Sequence, residues 1–216
     1  RGAPDVSTPR ARTAAPTEAT VMPEWRYNRY RLLGMSNPRL VDVFPDVDRT
    51  VIYQELRAWG IDPRNITVEQ GRWGSLASQT LGKVKEGIIS IGPGFEPKYP
   101  TGEHKYIGLV HELAHLLQQV EGFVSEEELR YKILSEEEWS SSPTEKDAIR
   151  WSGKQAKAMG WSRQKFLKFL AQRYEGYPPR SRDSIILTGG QEFSKLAGVR
   201  PMFRRPVRVR QYRRRR

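Results

Sequence analysis

Cysteine is absent from the 216 residues, which excludes disulfide staples, thiolate metal sites and cysteine nucleophiles while leaving the redox compartment open. Histidine is scarce at three residues, so any imidazole chemistry must come from His104, His111 and His115. No stretch approaches the ~18 consecutive apolar residues of a bilayer span, and no signal peptide is visible. A membrane partner is therefore not expected. The chain begins at Arg1 rather than Met, which reads as a processed start or as residues preceding it. Apolar residues make up only 37% of the chain, below the ~45–50% usual for globular domains. The core must be modest, and one domain with tails is the organisation that fits this length.

Charge is present in excess but in one place. The chain has 37 Lys+Arg against 25 Asp+Glu. Residues 177–216 carry 12 basic and 2 acidic side chains, a net of 12 − 2 = +10, which leaves only +2 of the total +12 for the first 176. A nearly neutral body thus carries a strongly basic tail. Residues 1–22 are rich in Ala, Thr and Pro and cannot bury enough apolar surface to offset the entropy of ordering. From Trp25 to Leu33 aromatics alternate with arginines. That pattern fits either packed rings with solvated arginines or stacking on nucleic acid. The division expected is an extended arm at 1–36, a folded domain at 37–176 and a basic tail at 177–216.

Within the body, Asp48 is placed to cap a helix carrying Ile52, Leu56 and Trp59 and ended by Gly60. Ile66–Gln70 and Gly87–Ile91 read as short strands. Six Gly or Pro residues between Gly92 and Gly102 allow only turns. Helices are expected from about Lys105 to Val120, from Ser125 to about Ile133, from Pro143 to Met159, and from Ser162 to Gly176. The fold class is α+β, with a short sheet, a long helix and then three helices.

The informative segment is His111-Glu112-Leu113-Ala114-His115. Residues i and i+4 of a helix share a face, so two imidazoles can reach one metal ion. Glu112, about 100° round the helix, can reach a metal-bound water as general base without ligating. Zinc (Zn2+) suits this work, because it lowers the pKa of its water to ~7. With 3 His in 216 residues, the pattern arises by chance roughly 0.003 times per chain. A catalytic zinc needs a third protein ligand. His104 lies about two turns from the pair and is poorly placed for it. A downstream carboxylate is the natural candidate, and Glu145 in Ser142-Pro143-Thr144-Glu145 is the choice. The same four residues also read as a helix capping box. The residues alone leave both readings open.

The segment resembles the gluzincin zinc metallopeptidases. In several of their families a His-Glu-Leu-x-His helix is followed by a helix bearing Glu-x-x-Ala. Repressor-cleaving peptidases of mobile elements show this, as do toxin-associated peptidases whose motif continues into Gln-Gln. This chain matches at His111, Glu112, Leu113, His115, Gln118, Gln119, Glu145 and Ala148, and the likeness spans roughly Ile66 to Tyr174. The resemblance implies a zincin-like fold, with His111, His115 and Glu145 as zinc ligands and Glu112 as general base. It also implies that strand 87–91 is an edge strand pairing with an extended peptide substrate. Many gluzincins carry Asp or Asn after the Ala to support a ligand, and here Ile149 stands in that place. An oxyanion donor is also needed; Arg173, Tyr174 and Tyr177 follow the fourth helix and could supply it, but nothing in the sequence separates them from surface residues.

From Arg200 onward nine arginines occupy 17 residues, Arg204, Arg205, Arg208, Arg210, Arg213, Arg214, Arg215 and Arg216 among them. Such a run repels itself and suits phosphates, with little sequence preference. Nucleic acid or an acidic protein surface is the expected partner. Tails of this kind order only when something holds them, which points to a larger assembly such as a virion or intracellular ribosome-like particle. Two functions follow: a zinc endopeptidase, or a structural component with the same fold that is anchored by arm and tail.

Overall fold

The computed structural model describes residues 25–27, 34, 37–71, 76–81, 86–120 and 142–196. The expected helix at 125–133 and the Arg-rich run from Arg200 lie outside them. The described chain is mixed α and β. A short helix α1 (Leu40–Val43) and a helix α2 (Tyr53–Ala58) precede strands β1 (Ile66–Gln70), β2 (Leu76–Leu81) and β3 (Glu86–Ile91). Helices α3 (Phe95–Lys98), α4 (Gly102–Val120), α5 (Pro143–Ala158), α6 (Arg163–Arg173) and α7 (Pro179–Lys195) follow. None of the described helices is long and apolar enough to cross a membrane.

Asp48 does not cap α2. It sits inside a separate 3-10 turn, Val47–Arg49, and α2 begins after Ile52 with no side-chain cap. Ile52 and Leu56 are fully buried as their spacing requires, whereas Trp59 is 48% exposed. Gly60 ends the helix at a φ of 80°, a conformation that favours glycine.

The sheet order is β1-β3-β2. Strand β3 runs parallel to β1, with Val68 opposite Ile89, and antiparallel to β2, with Ser78 opposite Ile89. The strand at 87–91 is therefore central, and both of its edges are already hydrogen-bonded. This overturns the reading of it as an edge strand that pairs with a peptide. The third strand, Leu-Ala-Ser-Gln-Thr-Leu, was not foreseen, because it lacks the run of β-branched and aromatic residues that marks a strand.

Helix α4 is apolar nearly all round, and such helices are buried. Tyr106, Ile107, Leu109, Val110, Leu113, Ala114 and Leu116 are all at most 1% exposed. It starts one turn earlier than Lys105 because Thr101 caps it, its hydroxyl accepting from the His104 N–H at 3.3 Å. Leu116 covers Gly87 of the central strand, where an added Cβ would lie 3.2 Å from Leu116 Cδ1. Ser152 of α5 donates to the Ile107 carbonyl on another side of α4. The site helix is thus fixed between the sheet and α5.

The core extends past the 37–176 span at both ends. Trp25 packs on Phe44 and Phe95 at 4.4 and 4.8 Å between ring centroids, and Tyr27 is buried. Of the two readings of that stretch, packed aromatics is the one seen for these residues. At the other end, α7 occupies sequence assigned to the basic tail. Ile185 is fully buried, Phe193 stacks on Phe166 at 5.3 Å, and Gly189 lets α7 approach Leu170 and Ile149 closely. The alternation of Ser, Arg and Gly with few apolar residues hid this helix.

Candidate metal centre

Two helices converge on one point. His111 and His115 come from successive turns of α4, and Glu145 from the first turn of α5. Their ligating atoms all lie within 4.8 Å of one another. His111 Nε2 is 3.1 Å from His115 Nε2. Glu145 Oε1 lies 3.4 Å from His111 Nε2, and its Oε2 lies 3.3 Å from His115 Nε2. Ligands held about 2.0–2.1 Å from a tetrahedral zinc stand about 3.3 Å apart. The two imidazole nitrogens stand at about that separation, and each meets a different oxygen of the Glu145 carboxylate, so the three side chains could hold a metal ion between them.

The capping question is settled by orientation. Ser142 caps α5, its Oγ accepting from the Glu145 N–H at 3.2 Å. The Glu145 carboxylate turns the other way, into the metal site, and is 0% exposed. One short motif serves both purposes, with backbone and side chain divided between them. Burial pushes the Glu145 carboxyl up, but the two imidazoles outweigh it and hold the group well below the usual carboxylate range. For His115 burial favours the neutral ring. The hydrogen bond and charge of Glu145 prevail over it and raise the imidazole to about 9.

Outer contacts orient one of these imidazoles. Gln118 accepts from His115 Nδ1 at 3.0 Å, and its own amide donates to the Thr144 carbonyl at 2.9 Å. This assigns the proton to Nδ1 and turns the Nε2 lone pair toward the metal position. His111 lacks such support: its buried Nδ1 has no hydrogen-bond partner among the described residues. Ile149, standing where the resemblance led to an Asp or Asn, is fully buried and offers no polar atom. Instead it packs near Gly189 of α7.

Two neighbours at the end of α6 close the site. The Tyr174 hydroxyl donates a short hydrogen bond to Glu145 Oε1. Burial, then the charge of Glu145, pushes this phenol up, so it remains a donor. Arg173 Nη2 donates to Glu112 Oε1 at 2.9 Å, a pair of which both members are buried. Glu112 is outside the ligand cluster, as its place on the helix requires, and its charge acts on His115. The sequence had named Arg173 and Tyr174 among possible donors without a reason to choose them. Arg173 ends α6 and Tyr174 caps it, and no spacing rule ties either to His111. Tyr177 is a further step out, its ring edge-on to Tyr174 at 5.4 Å.

His104 is not part of the centre. Its Nδ1 meets Thr101, and its ring packs against Trp161 and Phe169 at 5.1 and 5.6 Å. The arginines from Arg204 to Arg216 lie outside the described residues. No protein-family model, curated protein or solved structure matches the chain.

Proposed function

We propose that this chain is a zinc-dependent metallopeptidase of the gluzincin type, with a zincin-like fold, in which His111, His115 and Glu145 hold the ion. The observation that carries the reading is the convergence of two imidazoles and one buried carboxylate, their ligating atoms all within 4.8 Å of one another, with Glu112 next to His111 on the same helix. Zinc bound there would supply Lewis-acid polarisation of a carbonyl and a water that is nucleophilic near neutral pH. With the ion in place, Glu112 would serve as general base, its carboxylate holding a proton drawn from water and delivering it to the leaving amine. Arg173 holds the Glu112 carboxylate in place, Gln118 fixes the His115 tautomer, and Tyr174 steadies Glu145. The apolar walls of α4 exclude bulk water, which strengthens each of these interactions.

An extended peptide would add to β2 rather than β3. Among the described strands β2 has a neighbour on one side only, and it runs alongside α4. Main-chain pairing at such an edge gives affinity with little sequence preference. The Arg-rich end would tie the enzyme to nucleic acid or an acidic protein surface in a larger assembly.

A second reading, a structural component of a virion or ribosome-like particle with the same fold, draws on the unsupported Nδ1 of His111. Metal analysis of the purified protein, with peptide cleavage measured with and without chelator, separates the two. Glu112→Gln should keep about one zinc per chain and lose all cleavage. Zinc loss in that variant would remove Glu112 from the role of base.

A further inference from the structure

Arg173 offers more than a grip on Glu112. It is only 8% exposed, and its guanidinium lies 5.6 Å from the ring centroid of Tyr99 and 5.5 Å from that of Tyr174. Such contacts fix the plane of the group. Tyr99 itself is locked against α4. Gly108 is four residues before Glu112, on the same face, and an added Cβ there would overlap the Tyr99 ring, 2.7 Å from Cζ. With its plane set and Nη2 committed to Glu112 at 2.9 Å, the fork can present its other amino group in only one way. That group, Nη1, is buried and has no hydrogen-bond partner among the described residues. A buried cationic donor left unpaired is costly to maintain, and where one persists beside a reacting group an acceptor from a ligand accounts for it.

We propose that Arg173 is the substrate-contacting donor of this site. Nη1 hydrogen-bonds an anionic oxygen of the bound peptide while Nη2 keeps the Glu112 carboxylate aimed at the same point. The proposal rests on the metallopeptidase reading. The guanidinium acts here as a hydrogen-bond donor and stabilises charge without moving a proton. It does so in a water-excluded setting where such a donor counts most. The oxygen has two chemical sources: the scissile carbonyl as it gains negative charge, or the terminal carboxylate of a peptide cleaved near its end.

The test uses the full-length, zinc-loaded protein with Arg173→Gln and Arg173→Lys. The ligands are phosphinic tetrapeptides with alanine, leucine, phenylalanine or arginine beside the phosphinate, each made as free acid and as amide. Zinc per chain, the thermal transition and the dissociation constant are read for every pair. Arg173→Gln should keep its zinc and bind the phosphinates about 100-fold more weakly. Arg173→Lys, which retains a cation for Glu112 but not the fork, should keep most of that loss. Equal loss for acid and amide identifies the scissile oxygen, whereas loss confined to the acids identifies the terminal carboxylate.

Binding within twofold of wild type in Arg173→Gln overturns the proposal. So does a parallel loss of zinc, or unfolding of both variants, since either would make the arginine a structural element. If the zinc-loaded wild type binds no phosphinate, the metallopeptidase reading falls and this proposal with it. Wild-type binding that Arg173→Gln leaves intact defeats this proposal alone. Arg173-dependent binding without any peptide cleavage sinks the peptidase activity while the contact stands.

Discussion

Replacing Glu145 by Gln keeps the shape of the side chain and removes its charge. In the metal-free protein His115 stands at about 9 instead of 6.5, although burial pulls it the other way. Everything that raises it beyond that pull comes first from Glu145, its hydrogen bond and its charge. A rise of that size corresponds to about 3 kcal/mol of favourable interaction. The folded-state value lies above the unfolded one, so this stability is fully present below pH 6.5 and is lost as pH rises through about 9. The depressed carboxyl of Glu145 limits the same pairing at the acid end: its contribution is present above 4.5 and lost as pH falls below that. In Glu145→Gln the His115 value should therefore drop below 6.5, and metal-free stability should become flat between pH 6.5 and 9. The ring C–H resonances of His115 followed by NMR from pH 4 to 10, with urea melts at each pH, give both readouts. Zinc affinity should fall by more than the ~10–100-fold typical of losing an outer-shell partner. A His115 that still titrates near 9 in the variant would refute the pairing. Full zinc affinity would reduce Glu145 to a buried helix residue.

Tyr174→Phe removes the donor on Glu145 Oε1 and should weaken zinc binding about 10–100-fold while leaving secondary structure intact, as checked by competition with a fluorescent chelator and by circular dichroism. Gly108→Ala forces a methyl into the Tyr99 ring and should cost about 1–3 kcal/mol in a denaturant melt; an unchanged midpoint would mean that the ring moves freely. Deleting Arg200–Arg216, which removes nine arginines, should abolish duplex binding whose log affinity falls with log salt at a slope of about −5 if about six of them engage phosphates. The deletion should leave zinc content unchanged, and an unaltered slope would exclude the tail as the contact.

What the sequence determined was local. His111 and His115 share a face because four residues make about one helical turn, so the candidate ligand pair and its neighbour Glu112 were legible without a fold. The Ser142 cap and the start of α5 were equally legible, since a cap depends on three successive backbone amides. Which way the Glu145 carboxylate turned was not, because both uses satisfy the same four residues. Only the packing of α5 against α4 decided it. The place of strand 87–91 in the sheet was likewise invisible: its own residues say that it is buried, but being central depends on Leu76–Leu81 pairing with it from the far side. Helix α7 escaped notice because its burial rests on Gly189, Ile185 and Phe193 meeting partners on α5 and α6. Arg173 and Tyr174 lie 61 and 29 residues from the carboxylates they hold. Contacts between such distant positions leave no period or spacing in a chain. They exist only once the hydrophobic faces of α4, α5 and α6 have closed on one another, and that closure is what turns two legible histidines into a site.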